Sequence, residues 1–180
     1  MNAQDSYEFV LYKILQVMLL YLEKCYHPLS IINPILIKMD DDLIINPILF
    51  RKIIENLALF PNPIWTAGEL VERKTSYLNG QTYFISGPAV HMIWEFARCF
   101  PLQPPDDVEL MGNIRDKLKI VAIPLNNYYT NGRNIGPVLK AARINVGVNE
   151  QRNKTIIHPC CQEEDYRTIW KFFVRYNFFA

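Results

Sequence analysis

Apolar residues along the chain fall into short blocks, separated by breaks that carry proline, asparagine and aspartate, and the spacing inside each block predicts its element. Phe9, Ile14, Val17, Met18 and Tyr21 keep helical spacing, Asp5 or Ser6 is placed to cap them, and Glu8 follows Asp5 as a capping-box partner would. A helix over about 5–24 is expected. His27-Pro28 ends it, and after Asn33-Pro34 the run Ile35-Leu36-Ile37-Lys38-Met39 has the length and composition of a buried strand. It leads directly into Asp40-Asp41-Asp42. Leu43-Ile44-Ile45 then precedes Asn46-Pro47, an N-cap with proline at the first helical position, which opens a helix to about Leu59 that Pro61 and Pro63 close.

Ile64 to Leu70 reads as a strand, 71–82 as a polar loop, and Tyr83 to Ser86 as a short strand ending at Gly87-Pro88, where a helix to about Cys99 begins. Pro101, Pro104 and Pro105 bar a helix in the next loop, so Asp106-Asp107 starts another, reaching about Leu118. A strand Lys119 to Ile123 follows, then a stretch 126–153 of little periodicity, a strand Thr155 to His158 and a helix from about Glu163 to Arg175. Strands alternating with helices predict an α/β fold with a mostly parallel or mixed sheet, and the length of 180 residues suits a single domain over 1–180.

Composition narrows the function classes. Half the residues are hydrophobic, enough for a sizeable core, and 19 Lys+Arg against 18 Asp+Glu leave a net charge of +1. That balance gives no basic surplus to cover a phosphate backbone, so nucleic acid is not an expected partner. Cys25, Cys99, Cys160 and Cys161 lack C-x-x-C spacing and are too irregular for a disulfide scaffold. The most apolar run, Phe9 to Leu22, is about 14 residues against the roughly 20 a membrane span needs, and it contains Lys13 and Gln16; it reads as a core helix. The opening Met-Asn-Ala-Gln-Asp-Ser has no basic n-region, and no signal peptide is expected.

Several positions carry candidate chemistry, each with a structural alternative. Three adjacent carboxylates after an apolar strand repel one another unless something positive sits there; Asp40 and Asp42 can both reach one hard cation, or the triple is a solvated acidic turn. Asp106-Asp107 either caps a helix or presents a general base at its start. His158, between Ile157 and Pro159, is a structural histidine or a metal ligand, and Gly87-Pro88 can simply be a turn and a helix start. Trp65, Trp94 and Trp170 fall at core positions, although Trp65 could also line a sugar face.

Taken in order, these segments resemble the β-1,3-galactosyltransferase family. Asp5-Ser6-Tyr7 and Leu11-Tyr12-Lys13 are similar to its D-S-Y and L-x-x-K-T elements, and Lys38-Met39-Asp40-Asp41-Asp42 through Asn46 to its K-x-D-D-D-x-x-x-N pattern. Tyr83-Phe84-Ile85-Ser86-Gly87-Pro88 resembles Y-x-x-S-G-[GP], Pro105-Asp106-Asp107-Val108 with Gly112 resembles [ED]-D-V-x-x-x-G, and Ile156-Ile157-His158 with Tyr166 to Trp170 resembles the terminal elements. The likeness spans about 5–173.

The resemblance implies a GT-A-like mixed sheet flanked by helices, here without the family's N-terminal nucleotide-binding strands, so that 1–180 is a partial domain with an exposed sheet edge. It implies a metal-dependent inverting hexosyltransferase that moves galactose or an N-acetylhexosamine from a UDP-sugar to a glycan acceptor on a glycoprotein or glycolipid, in β-1,3 linkage. By the same resemblance Asp40, Asp41 and Asp42 bind the donor. Asp40, Asp42 and His158 would hold Mn²⁺ (or Mg²⁺), Asp107 is the catalytic base, and Ser86 and Gly87 shape the sugar wall. It further implies a Golgi location on the lumenal side, with the membrane anchor in an N-terminal part absent from this chain. A truncated or degenerate member acting as a non-catalytic partner subunit is the alternative.

Overall fold

The computed structural model describes residues 7–29, 34–130, 156–157 and 167–171. In chain order the elements are α1 (Tyr7–Lys24), β1 (Ile35–Met39), β2 (Ile44–Ile45), α2 (Pro47–Ala58), β3 (Trp65–Val71), β4 (Tyr77–Ser86), α3 (Gly87–Ala97), α4 (Asp106–Val108), a π-helical stretch (Glu109–Ile114), α5 (Arg115–Lys117), β5 (Val121–Pro124), a 3-10 turn (Asn126–Tyr128), β6 (Tyr129–Thr130) and β7 (Ile156–Ile157). Residues 167–171 are helical. The chain divides into two compact units, the first from Met1–Met39 and Ala58–Pro124, the second from Asp40–Leu57 and Leu125–Ala180.

The first unit is a mixed four-stranded sheet in the order β1-β4-β3-β5, with helices packed on it. β4 pairs antiparallel with both β1 and β3, while β3 and β5 run parallel. The central strand carries Leu78, Tyr83 and Ile85 into a core shared with Leu11 and Met18 of α1, Val90 and Ile93 of α3, and Leu110, Met111 and Ile114 of the π-helical stretch. Burying each such side chain contributes about 1.5–3 kcal/mol, which is why the helices dock on this strand.

Two elements of this unit differ from the sequence expectation. Residues 71–82 are not a loop, because β4 begins at Tyr77 and runs ten residues. The alternation that marks a strand is broken within it: from Gly68 to Leu70 β3 advances two residues, while β4 advances five, from Tyr83 to Leu78. The excess bulges out of the ladder around Asn79-Gly80-Gln81, which hides the period-2 signal. In α1 the buried stripe is Leu11, Met18 and Tyr21, flanked by Ile14, Leu15 and Leu22, whereas Phe9 and Val17 are 54% and 52% exposed. The helix is apolar on both faces, so spacing alone selects neither; Lys13, Gln16, Glu23 and Lys24 mark the outer one.

Smaller corrections concern ends. The helix after Gly87 stops at Ala97 rather than Cys99, the strand expected from Lys119 to Ile123 begins at Val121, and the segment Asp106–Lys117 is helical but passes through the π-turn. Cys25 and Cys99 are exposed free thiols. No described helix is long and apolar enough to cross a membrane.

In the second unit Asn46 is fully buried and caps α2 as its sequence suggests, its Oδ1 accepting from the Ile48 N–H at 3.2 Å and the Leu49 N–H at 3.3 Å. Ile53 and Leu57 bury the inner face of the helix. β2 pairs antiparallel with β7, and β7 parallel with β6. Asp5, Ser6, His158, Cys160, Cys161 and most of the helix expected from Glu163 to Arg175 lie outside the described residues.

Candidate functional site

The bulge in β4 has a chemical consequence. A residue pushed out of a ladder leaves its N–H and C=O without strand partners, and both must be satisfied elsewhere. At Gly80 the N–H donates to Asp107 Oδ2 at 3.1 Å. On its other side the Lys38 ammonium, reaching across from β1, donates to the Gly80 carbonyl. Lys38 is opposite Tyr83 in the β1–β4 register, and its Nζ stands 5.9 Å from the centre of that ring. β1, β4 and the start of α4 thus meet at one glycine.

Asp107 is half-buried there, and its Oδ1 accepts from the Val108 N–H at 2.9 Å. Asp106, only 7% exposed, takes a long 3.5 Å contact from the Tyr83 hydroxyl. The expectation that one of this pair caps the helix is not met: the N-cap is Pro105 and no side chain caps it. Both carboxylates turn to β4 instead. A half-buried carboxylate with one oxygen fixed by a backbone donor from a neighbouring strand is the arrangement that holds an acid or base in place.

Ser86 and Gly87 lie at the end of the same strand and are buried. The Ser86 hydroxyl donates to the Trp65 carbonyl and accepts from the Trp65 N–H, both at 3.1 Å, so it extends the β4–β3 ladder by a side chain. Trp65 itself is 3% exposed, which settles the choice between core and sugar face in favour of the core.

In the second unit Asp40 is half-buried and Asp41 and Asp42 are exposed on a turn that leads into β2. The residues that follow, Leu43, Ile44 and Ile45, line a cavity of about 290 Å³ together with Arg167 and Trp170. Trp170, expected in the core, is 48% exposed, because it and Arg167 face this cavity while Ile169 of the same helical segment takes the buried position. Among the described residues no three His, Cys, Asp or Glu side chains are grouped to hold a metal. Two aspartates of one turn are nevertheless hard oxygen ligands suited to Mg²⁺ or Mn²⁺, provided diphosphate oxygens and water complete the shell. That donor set fits a cation delivered with a diphosphate.

Sequence reasoning picked out Asp107 and the acidic triple and missed Lys38 and Gly80. The available signal was Asn79-Gly80 inside an otherwise strand-like run, since an isolated glycine there marks a bulge or a close backbone approach. Neither a family model nor a curated protein matches the sequence.

Proposed function

We propose that the protein is a GT-A-like, metal-dependent inverting hexosyltransferase that uses a UDP-sugar donor and a glycan acceptor. The single observation that carries the reading is Asp107, a half-buried carboxylate held by the Gly80 N–H at the opening of a helix. The acidic turn Asp40–Asp42 after a strand, beside residues that line a cavity with an indole and a guanidinium, also supports it.

In this reading Asp107 orients the acceptor hydroxyl and takes its proton as the oxygen forms a bond to the anomeric carbon from the face opposite the leaving group. The bond from that carbon to the diphosphate oxygen breaks, and its electron pair leaves with UDP. Asp40 and Asp42 would hold a divalent cation, which supplies charge compensation for the departing diphosphate when bound. The Trp170 ring offers an apolar face to a sugar or base, and Arg167 a cation to a phosphate or hydroxyl. β-1,3 linkage, galactose as the donor sugar and a Golgi lumenal setting belong to the same proposal through the resemblance.

The test is transfer of hexose from UDP-sugars to glycan acceptors by the whole chain and by Asp107→Asn. Loss of general-base catalysis lowers turnover by about 10²–10⁴-fold. Asp107→Asn turning over at the wild-type rate removes Asp107 from that role.

A further inference from the structure

We infer that Gly80 is the positioning residue for Asp107, and that the β4 bulge exists as the seat of that carboxylate. The inference rests on Asp107 acting as the base. The excess of β4 residues between Leu78 and Tyr83 lifts Gly80 out of the ladder, so its N–H is free to aim at a side chain. Asp107 Oδ2 receives it at 3.1 Å, and Lys38 closes the opposite side by donating to the Gly80 carbonyl. The bulge is braced further by Asn79, whose Nδ2 donates to Glu69 Oε2 at 2.7 Å and whose Oδ1 accepts from the Gln81 N–H at 3.3 Å. A backbone donor braced on both flanks is a stiffer support than a second side chain, and catalytic groups require placement to within about 0.5 Å.

Glycine is needed for a steric reason. Gly80 has no left-handed backbone, since the chain has no positive-φ glycine among the described residues. A Cβ at Gly80 would fall 3.3 Å from Asp107 Oδ2, 3.4 Å from its Cβ and 3.5 Å from its Cγ. The Cβ and Cγ distances are ordinary contacts, but Oδ2 would have to retreat by a few tenths of an ångström, stretching the hydrogen bond that orients it. Orientation of a reacting group is steep: a misplacement of about 1 Å costs about 10²-fold in rate.

The test has two arms on the full chain. In the kinetic arm, Gly80→Ala lowers kcat about tenfold and Gly80→Val lowers it further, while KM for the UDP-sugar stays at the wild-type value. Rates are taken per folded enzyme, counted from the folded fraction in the same sample, because a role confined to stability lowers only the amount of folded enzyme and leaves kcat per folded molecule at the wild-type value. In the second arm, amide hydrogen exchange of Gly80 is followed by NMR in the wild type and in Asp107→Ala. The Gly80 amide exchanges at least tenfold faster in the variant, whereas the ladder amides of Phe84 and Ile85 are unchanged. Equal Gly80 exchange in the two proteins, or wild-type kcat in a folded Gly80→Ala, overturns the inference. Should the wild type transfer no sugar, the functional reading has failed, and the exchange contrast alone decides whether the seat exists.

Discussion

Gly112→Ala is the substitution whose sign is decided by the fold. Gly112 is buried in the π-helical stretch, and in an ordinary exposed helix interior alanine there would stabilise by about 1 kcal/mol. Here a Cβ on Gly112 falls 3.0 Å from Tyr77 Cβ, 3.4 Å from Thr75 Cγ2 and 3.5 Å from the Ser76 carbonyl oxygen. Carbon atoms in ordinary contact stand about 3.5–4.0 Å apart, so the helix and the start of β4 must separate. Overpacking of this kind costs about 1–3 kcal/mol, and with backbone-anchored atoms on both sides of the contact a mid-range cost of about 2 kcal/mol exceeds the propensity gain and leaves a net loss of about 1 kcal/mol. At about 2–4 °C per kcal/mol for a chain of this size, the midpoint of thermal unfolding followed by circular dichroism falls by about 2–4 °C. Because the closest atom is a Cβ, Tyr77→Ala does not remove the contact. A rise in Tm for Gly112→Ala would refute the close approach and leave propensity as the only effect.

Three further outcomes follow from particular contacts. Asn46→Ala removes the cap of α2 and costs about 1 kcal/mol in urea unfolding, whereas Asn46→Ser, which keeps a capping oxygen without adding a charge at this buried position, retains more of the stability. Burial, with Cys25 and Tyr26 beside it, pushes the Tyr21 phenol well above its ordinary value; the folded chain therefore holds this proton more tightly than the unfolded one. The resulting stability is fully present below about pH 10 and declines as pH rises beyond it, so urea midpoints drop between about pH 10 and about pH 12 in the wild type and drop less in Tyr21→Phe. Arg115, 4% exposed, donates to the Ser76 carbonyl at 2.9 Å and pairs with Asp116. Arg115→Ala strands that carbonyl and opens a cavity, lowering stability by about 2–4 kcal/mol in the same assay.

What the sequence disclosed was local. β1 was legible to the residue because Asn33-Pro34 and the acidic triple bracket an unbroken apolar run, and α2 because Asn46-Pro47 is a complete start signal. The upstream half of β4 was not, because its bulge destroys the alternation on which strand recognition depends. The inner face of α1 was ambiguous because Phe9, Tyr12, Val17 and Leu20 place a second apolar stripe opposite the first. At the candidate site, Asp107 stood out by type and position, but its partner Gly80 lies 27 residues away and Lys38 a further 42 from Gly80. Only the pairing of β1 with a bulged β4 brings these three together. The Asp40–Asp42 turn was visible as a charge cluster, whereas the wall formed by Arg167 and Trp170 depends on packing that no local pattern encodes.

The most direct measurement of the central proposal is calorimetric titration of the whole chain with UDP, with and without Mn²⁺, repeated on the Asp40→Ala, Asp42→Ala double variant. The account predicts UDP binding that requires Mn²⁺ and disappears in the double variant. Absence of UDP binding by the folded wild type in the presence of Mn²⁺ would contradict it.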